Sequence, residues 1–396
     1  MRAAALLPLA ALATTAFAQS DVSPVDRLFH EQMLVLDTHL DTPVLFERPG
    51  WRFEDWHDYD FDMSQVDLPR MEAGGLDGGF FVIYTPQGEV SPAGYAKARD
   101  AALGRAMAIQ RVVAENEGKL ALATTADDAE RLHRAGKRIV YQSIENSYPL
   151  GEDLGLLKTF YDMGVRMAGP VHSKNNQFAD STTDKPRWKG LSPLGRKWVV
   201  EMNRLGMVID GSHSSDATFD DLLALSKTPI ILSHSGPRAI YDHPRNLDDA
   251  RMRKLAAKGG VMQINSVFLG AMDNSDERSA IETRQERWGQ LSAEERRALI
   301  ADKAAQDAKT PYTTADFEMF MKSLLHAISV MGVDHVGLGA DWDGGGGVKG
   351  MTDIAALPQV TARLREAGIA DADIAKIMGG NTLRLLRQAE AAREAR

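Results

Sequence analysis

The chain has 396 residues, 44% hydrophobic and 26% charged, ordinary proportions for a soluble globular protein. A net charge of -9 with no basic cluster argues against nucleic acid or an anionic membrane surface as a partner. Cysteine is absent, which excludes disulfides and thiolate ligands, so any metal site must use histidine and carboxylates.

The first segment, "MRAAALLPLAALATTAFAQS", has one basic residue, an apolar stretch and the Ala16-Phe17-Ala18 triplet. That is the pattern of a secretory signal peptide, and cleavage is expected after Ala18. The apolar part is too short to span a membrane and no stop-transfer segment follows. Without a cysteine to carry lipid, the expected product is a free periplasmic protein, with residues 19–396 forming a single domain.

Along the chain, short apolar runs alternate with helix-like segments. The predicted strands are "MLVLDTH" (33–39), "GGFFVIY" (78–84), "RIVYQSIE" (138–145), "GVRMAGPVH" (164–172), "GMVIDGSH" (206–213), "PIILSH" (229–234), "GGVMQIN" (259–265) and "HVGLGAD" (335–341). Runs this apolar, mostly opened by Gly or Pro, fit a buried parallel sheet. Segments 91–116, 192–205, 215–227 and 246–258 carry helical periodicity, several opening on Ser, Asp or Pro. The alternation predicts an α/β fold, a (β/α)8 TIM-like barrel. A doubly wound open sheet is the runner-up, without a Gly-rich dinucleotide motif to favour it. The highly charged segment 271–315 reads as a largely helical insertion after the seventh strand, over the barrel mouth or at a subunit contact.

A barrel concentrates function at the C-terminal ends of its strands. Those ends carry His39 and Asp41, Tyr84, Glu145, His172, His213, His234, Asn265 and Asp341. In a strand, His39 and Asp41 share a face. A single buried histidine is more often a hydrogen-bonded core residue than a ligand. Several ionisable groups converging on one rim are costly unless a cation compensates them. His30, His57, His133, His243, His326 and His335 sit in helix-like, loop or strand-start contexts and read as structural or solvated.

Imidazole with carboxylate suits Zn²⁺, with Mn²⁺, Co²⁺ or Fe²⁺ open on ligand type alone. Four histidines and three carboxylates exceed the needs of one tetrahedral ion. Two ions sharing a carboxylate would use them fully, which points to metal-assisted hydrolysis.

The stretches "DTHLD", "QSIE", "GVRMAGPVHSKNNQFADS", "GLSPLGRKWVVEMNRLGMVIDGSHSS", "PIILSHS", "HPRNLDD", "GGVMQIN" and "GLGADWDG" resemble the membrane (renal) dipeptidase family over residues 27–390. The resemblance implies binuclear zinc peptidases on a metal-dependent hydrolase barrel. It assigns His39 and Asp41 to one Zn²⁺ and His213 and His234 to the second. Glu145 and a water or hydroxide would bridge the two ions. Asp341 matches the acid/base, His172 the residue that contacts the scissile carbonyl, and Arg245 the guanidinium that holds the substrate's C-terminal carboxylate. Asp343 shares the face of Asp341 by alternation but lies further into the loop, and is the weaker candidate for acid/base. The family also implies dipeptide substrates, including those with a C-terminal D-residue, and a homodimer.

Three departures fall near the expected mouth: "NSYPLG" after Glu145, "INSVFLGAM" without the tyrosine of mammalian members, and the charged insertion. They leave side-chain preference open. No C-terminal apolar tail is present, so the lipid anchor of mammalian members is not expected. The alternatives to a dipeptidase are a metal-dependent hydrolase of another amide, lactone or phosphoester, and a periplasmic metal- or peptide-binding protein without turnover.

Overall fold

The computed structural model describes residues 22–394. The expected signal peptide, residues 1–18, lies outside them.

Nine strands are described: β1 (Leu36–Leu40), β2 (Gly78–Tyr84), β3 (Leu120–Leu122), β4 (Arg138–Glu145), β5 (Val165–Ala168), β6 (Val208–Ile209), β7 (Ile231–Ser235), β8 (Val261–Ile264) and β9 (Val336–Leu338). One sheet has the order β1-β2-β4-β5-β6, with β3 paired to the first half of β4; the other has the order β7-β8-β9. Every strand pair is parallel. Single parallel bridges, Asp210 to Ile231 and Leu40 to Trp342, join the two sheets at both edges. The result is a mixed α/β fold whose parallel sheet curls in the manner of a TIM-like barrel.

The strands are apolar on both faces, as parallel strands covered on both sides must be. One face carries Val140, Ile144, Leu232, Met262 and Leu338 against helices Pro193–Leu205, Asp216–Leu225, Asp249–Ala257 and Phe317–Met331. The other carries Leu36, Phe80, Ile139, Tyr141, Met167 and Val261 with Leu383 and Leu386 of helix Asn381–Ala391. Alternation along β4 puts Glu145 on the second face, at the strand's C-terminal end. The helices begin where their caps dictate: Ser91, Ser192, Ser215 and Asp248 each accept a backbone N–H of the first turn.

β2 and β4 span the residues predicted for them. β5 and β6 are shorter, because the chain leaves the sheet before His172 and His213. β3, only three residues long, falls below what an apolar-run pattern detects. Segment 271–315 is largely helical, with helices Asp276–Glu286 and Ala293–Lys309. Its neck is closed by an antiparallel bridge between Met272 and Thr313. Ile281, Trp288 and Leu299 pack with Met63, and the Arg48 guanidinium lies 5.2 Å from the Trp288 ring centre.

His30 is structural, as predicted. Its Nε2–H donates to Gly74 O at 2.9 Å and its Nδ1 accepts from the Thr361 hydroxyl at 2.7 Å. Burial pushes its pKa down from 6.5 to about 4. The unfolded chain therefore takes up the proton first. The stabilisation is full above about pH 6.5 and falls as the pH drops toward 4. Between pH 7 and 5 the parent should lose about 2 kcal/mol more than His30→Gln in urea unfolding. Equal losses would show that His30 does not set the acid sensitivity.

Candidate metal centre

The pairing of β1 changes register between Asp37 and Leu40. Such irregularities re-aim side chains near active sites. Asp37 holds this end of the strand. Its fully buried carboxylate accepts the His39 N–H at 2.8 Å and the Ala340 N–H at 3.0 Å. Burial pushes its pKa up to about 6. His39 and Asp41 do converge, with His39 Nε2 3.4 Å from Asp41 Oδ2.

Glu145 lies between two groups of ligands. Its Oε2 is 3.5 Å from His39 Nε2. Its Oε1 is 2.9 Å from His213 Nε2, 3.3 Å from His234 Nε2 and 3.7 Å from His172 Nε2. Asp341 joins the first group, with Oδ1 3.9 Å from His39 Nε2. The ligand atoms form three sets whose members lie within 4.8 Å of one another: His39, Glu145 and His234; Glu145, His172 and His213; His39, Asp41 and Asp341. Each of these sets has the donors and spacing to hold a cation.

The backbone is bent to make this arrangement. Asn146, His213, Asp341 and Asp343 have positive φ, between 63° and 69°, a conformation that non-glycine residues enter at a cost. A Cβ on Gly344 would stand 2.1 Å from Asp41 Oδ2 and 2.3 Å from Asp341 Oδ1, so only glycine fits there. Asp343 turns away from the centre. Its carboxylate accepts from the Thr42 hydroxyl and from Gln65 N–H, each at 2.7 Å, and is thereby occupied as a tether.

The electrostatics are those of a cation site. Burial would raise the Glu145 pKa, but the charges of His39 and His172 and the close approach of His213 and His234 hold it well below the carboxylate range. Burial pulls His39 down, yet Glu145 and Asp41 raise it well above 6.5. Burial pushes Asp341 up to about 7. His213 and His234 are pushed well down by burial, as lone-pair donors should be. His39 Nε2 and Asp41 Oδ1 are buried without a hydrogen-bond partner, which fits groups that serve a cation.

Around this cluster, the structure brings together the remaining predicted residues. His172 lies four residues beyond β5, its side chain 26% exposed, with its ring 5.1 Å from that of Tyr84 and 4.1 Å from that of His213. Arg245 is buried, its Nη2 donating to His234 O at 3.3 Å, and burial lowers its pKa to about 10. No described carboxylate forms an ion pair with it, and its Nε has no partner. Asn265 is fully buried with neither amide atom bonded.

A model of the membrane dipeptidase family, Peptidase family M19, matches residues 25–396. The chain belongs to this family. "Dipeptidase tcpJ" of Claviceps purpurea is 32% identical over 334 residues, covering 83% of this chain and 70% of that protein. Among solved structures, the probable dipeptidase PvdM of Pseudomonas aeruginosa aligns with a TM-score of 0.80 at 29% identity, over 93% of this chain and 98% of that one. A Rhodobacter sphaeroides metallopeptidase, bound to a phosphinate mimic of L-Ala-D-Ala, aligns with a TM-score of 0.72 at 27% identity, over 90% and 99%. This member of the membrane dipeptidase family is accordingly a metal-dependent dipeptidase.

Sequence pattern did not single out Asp37, which accepts the His39 N–H, or Asp210 and Ser233, bonded to each other beside His234. Inside apolar strands they read as ordinary polar interruptions. The available signal was the repeated Ser-His pair, Ser212-His213 and Ser233-His234, at two neighbouring strand ends. No helix of the described residues is long and apolar enough to cross a membrane.

Proposed function

We propose that the centre holds two Zn²⁺ ions. His39 and Asp41 would hold one, His213 and His234 the other, with Glu145 shared between them. The observation that carries this reading is the division of Glu145, Oε2 facing His39 and Oε1 facing His213 and His234. Bound there, the ions would supply an acidified water and polarise the scissile carbonyl. Asp341 accepts and returns a proton at its carboxylate. His172, about a quarter exposed beside Glu145, contacts the scissile carbonyl from the solvent side. Arg245 receives the C-terminal carboxylate of the dipeptide.

Arg245 supports a free-carboxylate substrate over a neutral ester or lactone. A buried guanidinium without an anionic partner is costly, and a substrate carboxylate relieves that cost. The phosphinate mimic of L-Ala-D-Ala in the Rhodobacter sphaeroides relative supports substrates with a C-terminal D-residue. The edge bridges of the two sheets support a complete (β/α)8 barrel in a single domain, with 271–315 as an insertion at its mouth. The leader pattern supports export to the periplasm after cleavage at Ala18. The homodimer is proposed on family analogy alone.

The test is a panel of L-L and L-D dipeptides with Zn²⁺-loaded protein, parent and Arg245→Ala. The parent should hydrolyse both classes. Arg245→Ala should raise KM on the order of 100-fold, the loss of charge-assisted hydrogen bonds. An unchanged KM removes the carboxylate assignment, and no hydrolysis of any dipeptide by the loaded parent removes the substrate class.

A further inference from the structure

Behind the ligand histidines lies a buried hydroxyl that the reading above does not use. Ser233, in β7, is fully buried. Its Oγ lies 2.5 Å from Asp210 Oδ2, 2.9 Å from His234 Nδ1 and, at the long limit of a hydrogen bond, 3.5 Å from His39 Nδ1. Asp210 is fixed by its other oxygen, Oδ1, which accepts the Ser212 and Ser233 N–H groups, each at 2.9 Å. His213 differs: its Nδ1 is buried without a partner.

A hydroxyl has one proton to give. A carboxylate oxygen at 2.5 Å is the strongest acceptor within reach, so the Ser233 proton goes to Asp210. The oxygen can then only accept, from the imidazoles and from the Ser212 hydroxyl 3.4 Å away. Each imidazole then presents Nδ1–H to it, which leaves the Nε2 of His234 as a lone pair, 2.8 Å from His213 Nε2. For His39 the same contact fixes the ring, so that a cation need displace only the Nε2 proton.

We propose that Ser233, polarised by Asp210, is a positioning residue shared by both metal positions, fixing one ligand histidine in each through Nδ1. The proposal rests on the metal assignment above. Its consequence is coupling: a private support would tune one ion, whereas this one tunes both together.

Asp210→Asn tests it, because the change is nearly isosteric and Oδ1 keeps its two backbone bonds. The Nδ2 that replaces Oδ2 is a donor. It turns the Ser233 proton toward His234 Nδ1 and favours the Nε2–H tautomer, which cannot bind metal. Two measurements on the full chain decide the matter. Zn²⁺ affinity by chelator competition should fall roughly 10- to 100-fold at both positions. Histidine ¹⁵N spectra of chelator-treated protein should show the His234 proton moving from Nδ1 to Nε2, a signature that a merely structural defect does not give. Ser233→Ala, which removes the shared acceptor, should also weaken both ions. The proposal is overturned by unchanged affinities, by loosening of one ion only, or by an unmoved tautomer. If the parent itself binds no Zn²⁺, the metal assignment falls instead, and the tautomer spectra alone decide the relay.

Discussion

Glu145→Gln should leave a folded protein that retains neither ion firmly, with kcat lower by on the order of 10³ or more. The two residues have nearly the same shape, so the effect isolates charge and donor character. Glu145 offers one oxygen to each side of the centre, and both must be lone-pair donors to serve two cations. An amide keeps one oxygen and turns an N–H2 group toward the other side. Whichever way it rotates, one ligand set gains a donor pointed at the place of a cation. The lost negative charge weakens the other set, since it also compensates the buried His39. His39→Ala should instead empty mainly the position shared with Asp41, leaving the His213/His234 position weakened and occupied. Metal content by elemental analysis, with thermal melting to exclude misfolding, separates these outcomes. A glutamine variant that keeps two ions and its turnover would refute the shared-carboxylate reading.

The fold was legible where local pattern and tertiary environment agree. β2 and β4 are long, apolar on both faces and bounded by Gly or Arg, so their limits could be read directly. Glu145 could be placed because β4 runs straight to its end. The apolar runs containing His172, His213 and Asp341 extend beyond the hydrogen-bonded strands. These residues sit in loops whose positions depend on left-handed turns at His213 and Asp341, which strand alternation does not foresee. The same holds for Asp343. Alternation gave it the face of Asp341, but a positive φ at both residues breaks the alternation and sends its carboxylate to Thr42 and Gln65. The supports Asp37, Asp210 and Ser233 act across strands that are neighbours in space and distant in sequence. Only the sheet order brings them to the ligands.

The two aspartates of "ADWDG" face different surroundings: Asp341 the ligand cluster, Asp343 the Thr42 hydroxyl and the Gln65 N–H. Asp341→Asn should lower kcat by roughly 10²- to 10⁴-fold while leaving KM and metal content close to parent values. Among the described residues none donates a hydrogen bond to the Asp341 carboxylate, so no fixed bond holds its proton-accepting oxygens. It stands at the centre, 3.9 Å from His39 Nε2, with its oxygens free to exchange a proton with a water or leaving amine held there. An amide of the same size fills the space without that exchange. Asp343→Asn should show the reverse pattern. It alters the contacts to Thr42 and Gln65 and should lower the melting temperature, with a far smaller change in kcat. If Asp341→Asn turns over at the parent rate while Asp343→Asn does not, the acid/base role belongs to Asp343. The tether would then have to open during catalysis, because both Asp343 oxygens are occupied in the structure.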